Sequence, residues 1–358
     1  MTAKNTIKAK KIFFVVTLLL STAFLAGCIN LNTQPPPPVA GVYKSFDSGN
    51  TWLAKNLYVS ALGFGNMGQL TIKQIIFDPQ DNQALYLLSE GEGMYYSYDS
   101  GESWMQPKQF TSGTVASLAV DPNDKCTIYV AYSNQIYKST DCTRSFDDVY
   151  TDSRPQTGIT YLAIDNFNIG IIYAGTVSGE ILKSFDSGLS WTTIKRLDDK
   201  VEKILIDPRN SRTIYVATTR KGIFKTIDSG ESWFDVNAEL QKFSAAFEYR
   251  DLIFVPSKPD GLILLSRYGI LKTNDGGQTW NAIDLITPPL GADIRTVGVD
   301  PKNSQMIYYG TPATFYWSND GGENWTANRL PTGSPAAKLI IDPEATNILY
   351  LGFRQVNK

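Results

Sequence analysis

An all-β fold, a seven-bladed β-propeller of four-stranded blades closed by N- and C-terminal strands that share one blade, is what this 358-residue sequence predicts. Three observations predict it. An eight-residue pattern, Ser/Thr-x-Asp-x-Gly-x-x-Trp, returns seven times, with successive Asp positions 52, 42, 45, 42, 47 and 45 residues apart. A second marker, an apolar run ending in Asp-Pro, lies upstream of most copies, as in Ile75-Ile76-Phe77-Asp78-Pro79 and Ile206-Asp207-Pro208. The unit so defined holds four short strand patterns in about 45 residues, the period of a propeller blade.

The chain opens with a targeting pattern. Lys4, Lys8, Lys10 and Lys11 form a basic region, and Ile12 to Leu25 form an apolar stretch of 14 residues. A comfortable transmembrane helix needs roughly 20 apolar residues, so the stretch reads as a signal peptide over 1–27. Leu25-Ala26-Gly27-Cys28 resembles a bacterial lipobox, and that resemblance implies lipidation of Cys28 and export to the cell surface or periplasm; Ile29 after the cysteine favours the outer membrane where there are two. The alternative is an ordinary signal peptide or anchor with a chance cysteine. Residues 28–40 include Pro35-Pro36-Pro37-Pro38, which favours extended polyproline II and reads as a stiff tether. The propeller is expected over 41–358.

The repeat reads Ser45-Phe46-Asp47-Ser48-Gly49-Asn50-Thr51-Trp52 at its first occurrence. It returns around Asp99 and Trp104, Asp186 and Trp191, Asp228 and Trp233, Asp275 and Trp280, and Asp320 and Trp325. A worn copy at Ser139–Phe146 keeps Asp141 but has Thr143 for Gly and Phe146 for Trp. Physically the pattern fits a turn between antiparallel strands. The carboxylate accepts backbone N–H groups, Gly supplies a positive φ, and Trp starts the next strand with a large apolar face to bury. A catalytic carboxylate is expected once or twice, so seven equivalent ones read as structural.

The pattern resembles the Asp-box, or BNR repeat, of sialidases, sortilin-type receptors, two-propeller xyloglucanases and photosystem II assembly factors. The resemblance covers nearly the whole of 41–358. It implies a propeller, and either a binding and assembly role or glycan chemistry. Sialidases normally use an arginine triad, a Tyr/Glu pair, an Arg-Ile-Pro motif and six blades; no Arg-Ile-Pro occurs here. Xyloglucanase-type enzymes cleave between two propellers, and one propeller uses up this chain.

Strand counting closes the ring. Inner pairs start near 70, 115, 160, 202, 251, 295 and 337, and outer pairs near 42, 93, 135, 180, 222, 269 and 315. The chain opens on an outer pair, Val42 to Leu53, and ends on an inner pair, Leu339 to Phe353, so one blade is expected to hold both ends. The competing architecture is six closed blades with loose ends.

Beyond Cys28 the cysteines are Cys126 and Cys142, flanking a hairpin that turns at Ser133-Asn134. Pairing Ala131 with Gln135 sets residue 126 opposite 140 and brings Cys142 within reach. Export permits a disulfide; two buried thiols are the alternative.

The links from one blade to the next surround one mouth of the channel. Asn56 to Gln69 carries Tyr58 and Phe64 among glycine and asparagine breaks. Asn237 to Arg250 carries Phe243, Phe247 and Tyr249 and is a candidate for a short amphipathic helix. Arg154, Arg196, Arg250, Arg295 and Arg329 lie in or near such links. Exposed aromatics with arginine suit contact with protein or glycan; ordinary solvated loops are the alternative.

Composition narrows the function. There is no histidine, which removes Ser-His-Asp triads and His metal sites. The 33 basic residues against 35 acidic give a net charge of −2, with no basic excess for nucleic acid. No motif points to a cofactor, a nucleotide or a metal. The expectation is a membrane-tethered monomer that binds a protein partner, with a glycan-binding module or glycosidase as the alternative and no catalytic residue assigned.

Overall fold

The computed structural model describes residues 39–356. The signal segment, Cys28 and most of the tether lie outside the described residues. Seven sheets are arranged as blades. Blade 1 runs, from the innermost strand outward, Ala336–Ile341, Leu349–Phe353, Gly41–Ser45 and Leu53–Ala54, so both ends of the chain meet in it. Gly41 pairs with Phe353 and Ser45 with Leu349 along the closing ladder. Blades 2 to 7 follow in chain order with innermost strands Ile72–Asp78, Val115–Asp121, Ile159–Ile164, Val201–Asp207, Tyr249–Phe254 and Thr296–Val299.

The propeller has no single core. Seven buried clusters each span two adjacent blades. One joins blades 5 and 6 through Tyr215, Leu252 and Trp280; another joins blades 7 and 1 through Tyr308, Phe315 and Phe353. Each blade therefore buries apolar surface against both neighbours, which requires the ring to close.

The Tyr-rich second strands explain the contact between neighbours. Tyr350, Tyr129 and Tyr173 are fully buried. Their hydroxyls donate to backbone oxygens in the Asp-box turn of the next blade: Ser100 at 2.8 Å, Ser187 at 2.9 Å and Ser229 at 3.4 Å. Lysines on the third strands lie over the same rings, Lys44 over Tyr350 at 5.0 Å and Lys183 over Tyr173 at 5.1 Å.

Three details depart from expectation. Blade 2 has three regular strands; its outer position is one bridge, Tyr96 to Met105. The link after Asn56 is not an irregular loop but a hairpin, Leu57–Ser60 with Gly63–Asn66, whose first strand lies parallel to Trp104 beside that thin edge. The amphipathic helix is a 3₁₀ turn, Leu240–Lys242, because only Leu240 is buried within it.

Candidate functional site

The two ends of the ring differ in construction. At one end stand the seven Asp-box turns. In the first, Asp47 Oδ1 accepts the Ser45 hydroxyl at 2.8 Å and the Thr51 amide at 2.8 Å, while Oδ2 accepts the Thr51 hydroxyl at 2.7 Å. The Ser45 hydroxyl oxygen in turn accepts the Gly49 amide at 2.8 Å. The arrangement repeats at Asp99, Asp186, Asp228, Asp275 and Asp320, with Asn324 in place of the hydroxyl residue in the last. Three hydrogen bonds from its own turn engage both oxygens of the carboxylate, so these acids are structural pins. In the worn copy, bonds from the Ser145 hydroxyl and amide hold the Asp141 carboxyl at about 2. Trp104 and Trp280 are buried; Trp52, Trp191, Trp233 and Trp325 are half-buried against the preceding blade.

The worn turn keeps its geometry at a cost. Thr143, where the other boxes have Gly, holds φ 69°, and Cys142 before it holds φ 57°. A β-branched residue there is strained. The Cys126–Cys142 disulfide ties this turn to the strand beneath it. Its register is one residue off the expected one: the hairpin turns through two residues, so Gln135 faces Tyr132 and Ala131 faces Ile136.

At the other end the channel opens as a funnel of about 250 Å³ lined by residues on or just before the innermost strand of each of the seven blades, continuing into about 420 Å³. A register shift at the start of six of those strands places one extra residue at the rim: Lys73, Ala116, Thr160, Glu202, Arg250 and Ala337. Arg295, just before Thr296, takes the seventh place. Such bulges re-aim side chains, here into the opening. One step deeper lie Tyr161, Lys203, Asp251 and Lys338.

Charge is uneven in this funnel. Lys73, Lys200, Lys203, Arg250, Arg295, Lys338 and Arg354 line it against Glu90, Glu202 and Asp251. Asp251 is held between Lys203 and Lys338, each at 2.6 Å. Burial alone would raise its pKa, but the two ammonium groups outweigh burial and lower it. Asp293 is shared by Arg250 at 2.5 Å, Arg295 at 2.8 Å and Arg267 at 4.0 Å. Lys73 donates to the carbonyls of Val115 and Ala116. Crowding by the ring, and then the charge of Lys200, lowers its pKa. A positive mouth thus sits on a chain that is net negative.

Three of the aromatics and arginines singled out from sequence line the funnel: Tyr249, Arg250 and Arg295. The others are placed elsewhere. Phe243 and Phe247 pack against the cluster between blades 5 and 6, with Phe243 edge-on to Tyr268. Arg154 and Arg196 hold Glu180 at 2.5 and 3.1 Å. Arg329 ends the outer strand of blade 7. Tyr58 lies against Tyr95, and Phe64 stands exposed on the hairpin. The funnel's Lys73, Lys203, Asp251 and Lys338 stand on the innermost strands, outside the links that the sequence singles out. Their signal was in the sequence all the same: a charged residue interrupting the start of an apolar inner strand, as in Ile72-Lys73-Gln74 and Val201-Glu202-Lys203.

A family model described as sortilin, neurotensin receptor 3, matches residues 179–284, three complete boxes among them. The protein is a BNR-type propeller. A xyloglucanase of Hypocrea jecorina (strain QM6a) is 27% identical to it over 135 residues, 37% of this chain and 16% of that one. The GH74 xyloglucanase of Xanthomonas campestris shares the fold with a TM-score of 0.65 at 18% identity, over 80% of this chain and 51% of its own. YCF48 bound to a D1 peptide gives 0.61 at 15%, over 80% of this chain and 94% of its own. This BNR-type propeller spans about half the GH74 chain and a smaller share of the curated xyloglucanase.

Proposed function

We propose that this propeller is an exported, lipid-anchored scaffold that docks an acidic segment of a protein partner in its channel mouth. The observation that carries the reading is the funnel's lining, where seven Lys and Arg side chains, Lys73 and Arg295 among them, stand against three carboxylates in the lining and Asp293 beside it. Charge of one sign in a concave site steers and selects an oppositely charged partner. A neighbour of like fold that spans nearly the same length binds a peptide, which supports a peptide ligand. Glycoside hydrolysis needs a protonated carboxylic acid opposite a carboxylate. Asp251, clamped by two lysines, is poorly suited to the first role, and Glu202 already receives Lys200 at 2.9 Å and Thr219 at 2.7 Å.

The test is binding of the purified chain to a peptide array graded in acidity, alongside a glycan array and a xyloglucan hydrolysis assay. Expected are binding to acidic peptides that weakens with salt, and loss of it in the Lys73→Glu/Arg295→Glu variant. Salt-insensitive glycan binding or xyloglucan cleavage overturns the reading.

A further inference from the structure

We propose that the hairpin Leu57–Asn66 is a membrane-contact finger that dips its tip into the bilayer surface to which the chain is tethered; this rests on the lipid-anchor reading above. From Asn56 to Leu70 there is no charged residue, on a chain that is 19% charged. Leu62 at the tip is 101% exposed and Phe64 82%, the two most exposed large hydrophobics among the described residues. Solvent-facing apolar groups on a neutral hairpin gain most from an interface that hides them.

The finger is not a loose loop. Its first strand is fixed to blade 2: the Val59 amide donates to the Trp104 carbonyl at 2.8 Å, and the Trp104 amide to the Leu57 carbonyl at 2.9 Å. The second strand, Gly63–Asn66, is exposed along its length. A rigid root and a bare apolar tip suit wedging into a surface.

Chain continuity names the occupant. The residues that follow the tether cross the base of the finger: the Ala40 amide donates to the Gly68 carbonyl at 2.8 Å and the Val42 amide to Asn56 Oδ1 at 2.7 Å. Five residues separate tip from base, about 17 Å of strand. Eleven residues separate Cys28 from Val39, at most about 40 Å of chain. A lipid on Cys28 would place the bilayer within tether reach of the strand that crosses the base of the uncharged finger.

The experiment uses the full lipidated chain in vesicles of phosphatidylethanolamine and phosphatidylglycerol. Leu62→Cys, Phe64→Cys and, at an Asp-box turn, Leu189→Cys each add one thiol for an environment-sensitive fluorophore. Expected are blue-shifted emission at 62 and 64 and several-fold stronger quenching by headgroup-level nitroxide lipid than at 189. A label at 62 that stays in water on an anchored chain overturns the proposal, as does one shielded only at high protein density or only when another protein is added. The mass of the Cys28 peptide is read separately: an unmodified cysteine removes the tether and the proposal falls with it, while acidic-peptide binding at the mouth is unaffected.

Discussion

The Asp-box end and the channel mouth are made by the same seven blades, yet one repeats and the other does not. Across the boxes the same bonds recur, from Asp47 to Asp320, and even the worn copy keeps its carboxylate in place. Around the mouth the equivalent positions hold Lys73, Ala116, Thr160, Glu202, Arg250 and Ala337, all bulged, and Arg295, which is not. A role that every blade must perform to fold leaves an identical residue in each. A role performed once, by the whole ring, leaves different ones. The box end holds the repeated bonds of the fold, and the mouth holds the variation that the proposed recognition requires.

It breaks most readily at the deepest box residue. Trp104→Ala, emptying a fully buried site, is expected to cost about 4 kcal/mol in denaturant unfolding while peptide affinity of the folded fraction stays unchanged; a parallel loss of affinity would couple the two ends. Next comes the worn box. Cys126→Ser/Cys142→Ser opens a short loop and is expected to cost about 3 kcal/mol. In that background Thr143→Gly relieves a positive φ and is expected to return about 1 kcal/mol, read as a rise in unfolding midpoint.

Acid sharpens the contrast by sign. The Asp141 carboxyl sits lower folded, at about 2, than in an unfolded chain, where it is near 3.9. Its contribution is complete above pH ~4 and disappears as pH falls toward ~2, so thermal unfolding followed from pH 5 to 2 should show the midpoint dropping in that window. The mouth moves the opposite way: the lowered pKa of Lys73 means acidic-peptide affinity declines as pH climbs toward the lysine range, and Lys73→Arg should delay that decline. The smallest stability effect is expected from Lys73→Ala and Arg295→Ala, within about 0.5 kcal/mol of wild type, with peptide affinity lowered roughly tenfold.

Blade number and the disulfide were readable in the sequence because each rests on local chemistry repeated or paired at short range, and the shared blade because the strand count leaves an outer pair at one end and an inner pair at the other. Ser45, Asp47, Gly49 and Thr51 bond to one another within seven residues. The mouth was less readable. Which residue of Ile72-Lys73-Gln74 faces the channel depends on a register shift against Leu88 and Ser89, and a slip of one position exchanges the faces of a strand. The hairpin after Asn56 carries glycines that mark breaks in a sequence, yet Gly63 and Gly65 are also what lets a narrow two-stranded finger turn and pack against Tyr58.

The five-residue ladder that closes blade 1 has a mechanical consequence. Gly41–Ser45 is both the strand that completes the ring and the first stretch of propeller after the tether. Under the proposed anchoring, a pull on the N-terminus loads the Ala40–Gly68 bond and then that ladder. Stripping it away would strand Leu349–Phe353 with an open flank and unlatch the circle, so the strand nearest the tether is also the fuse of the ring.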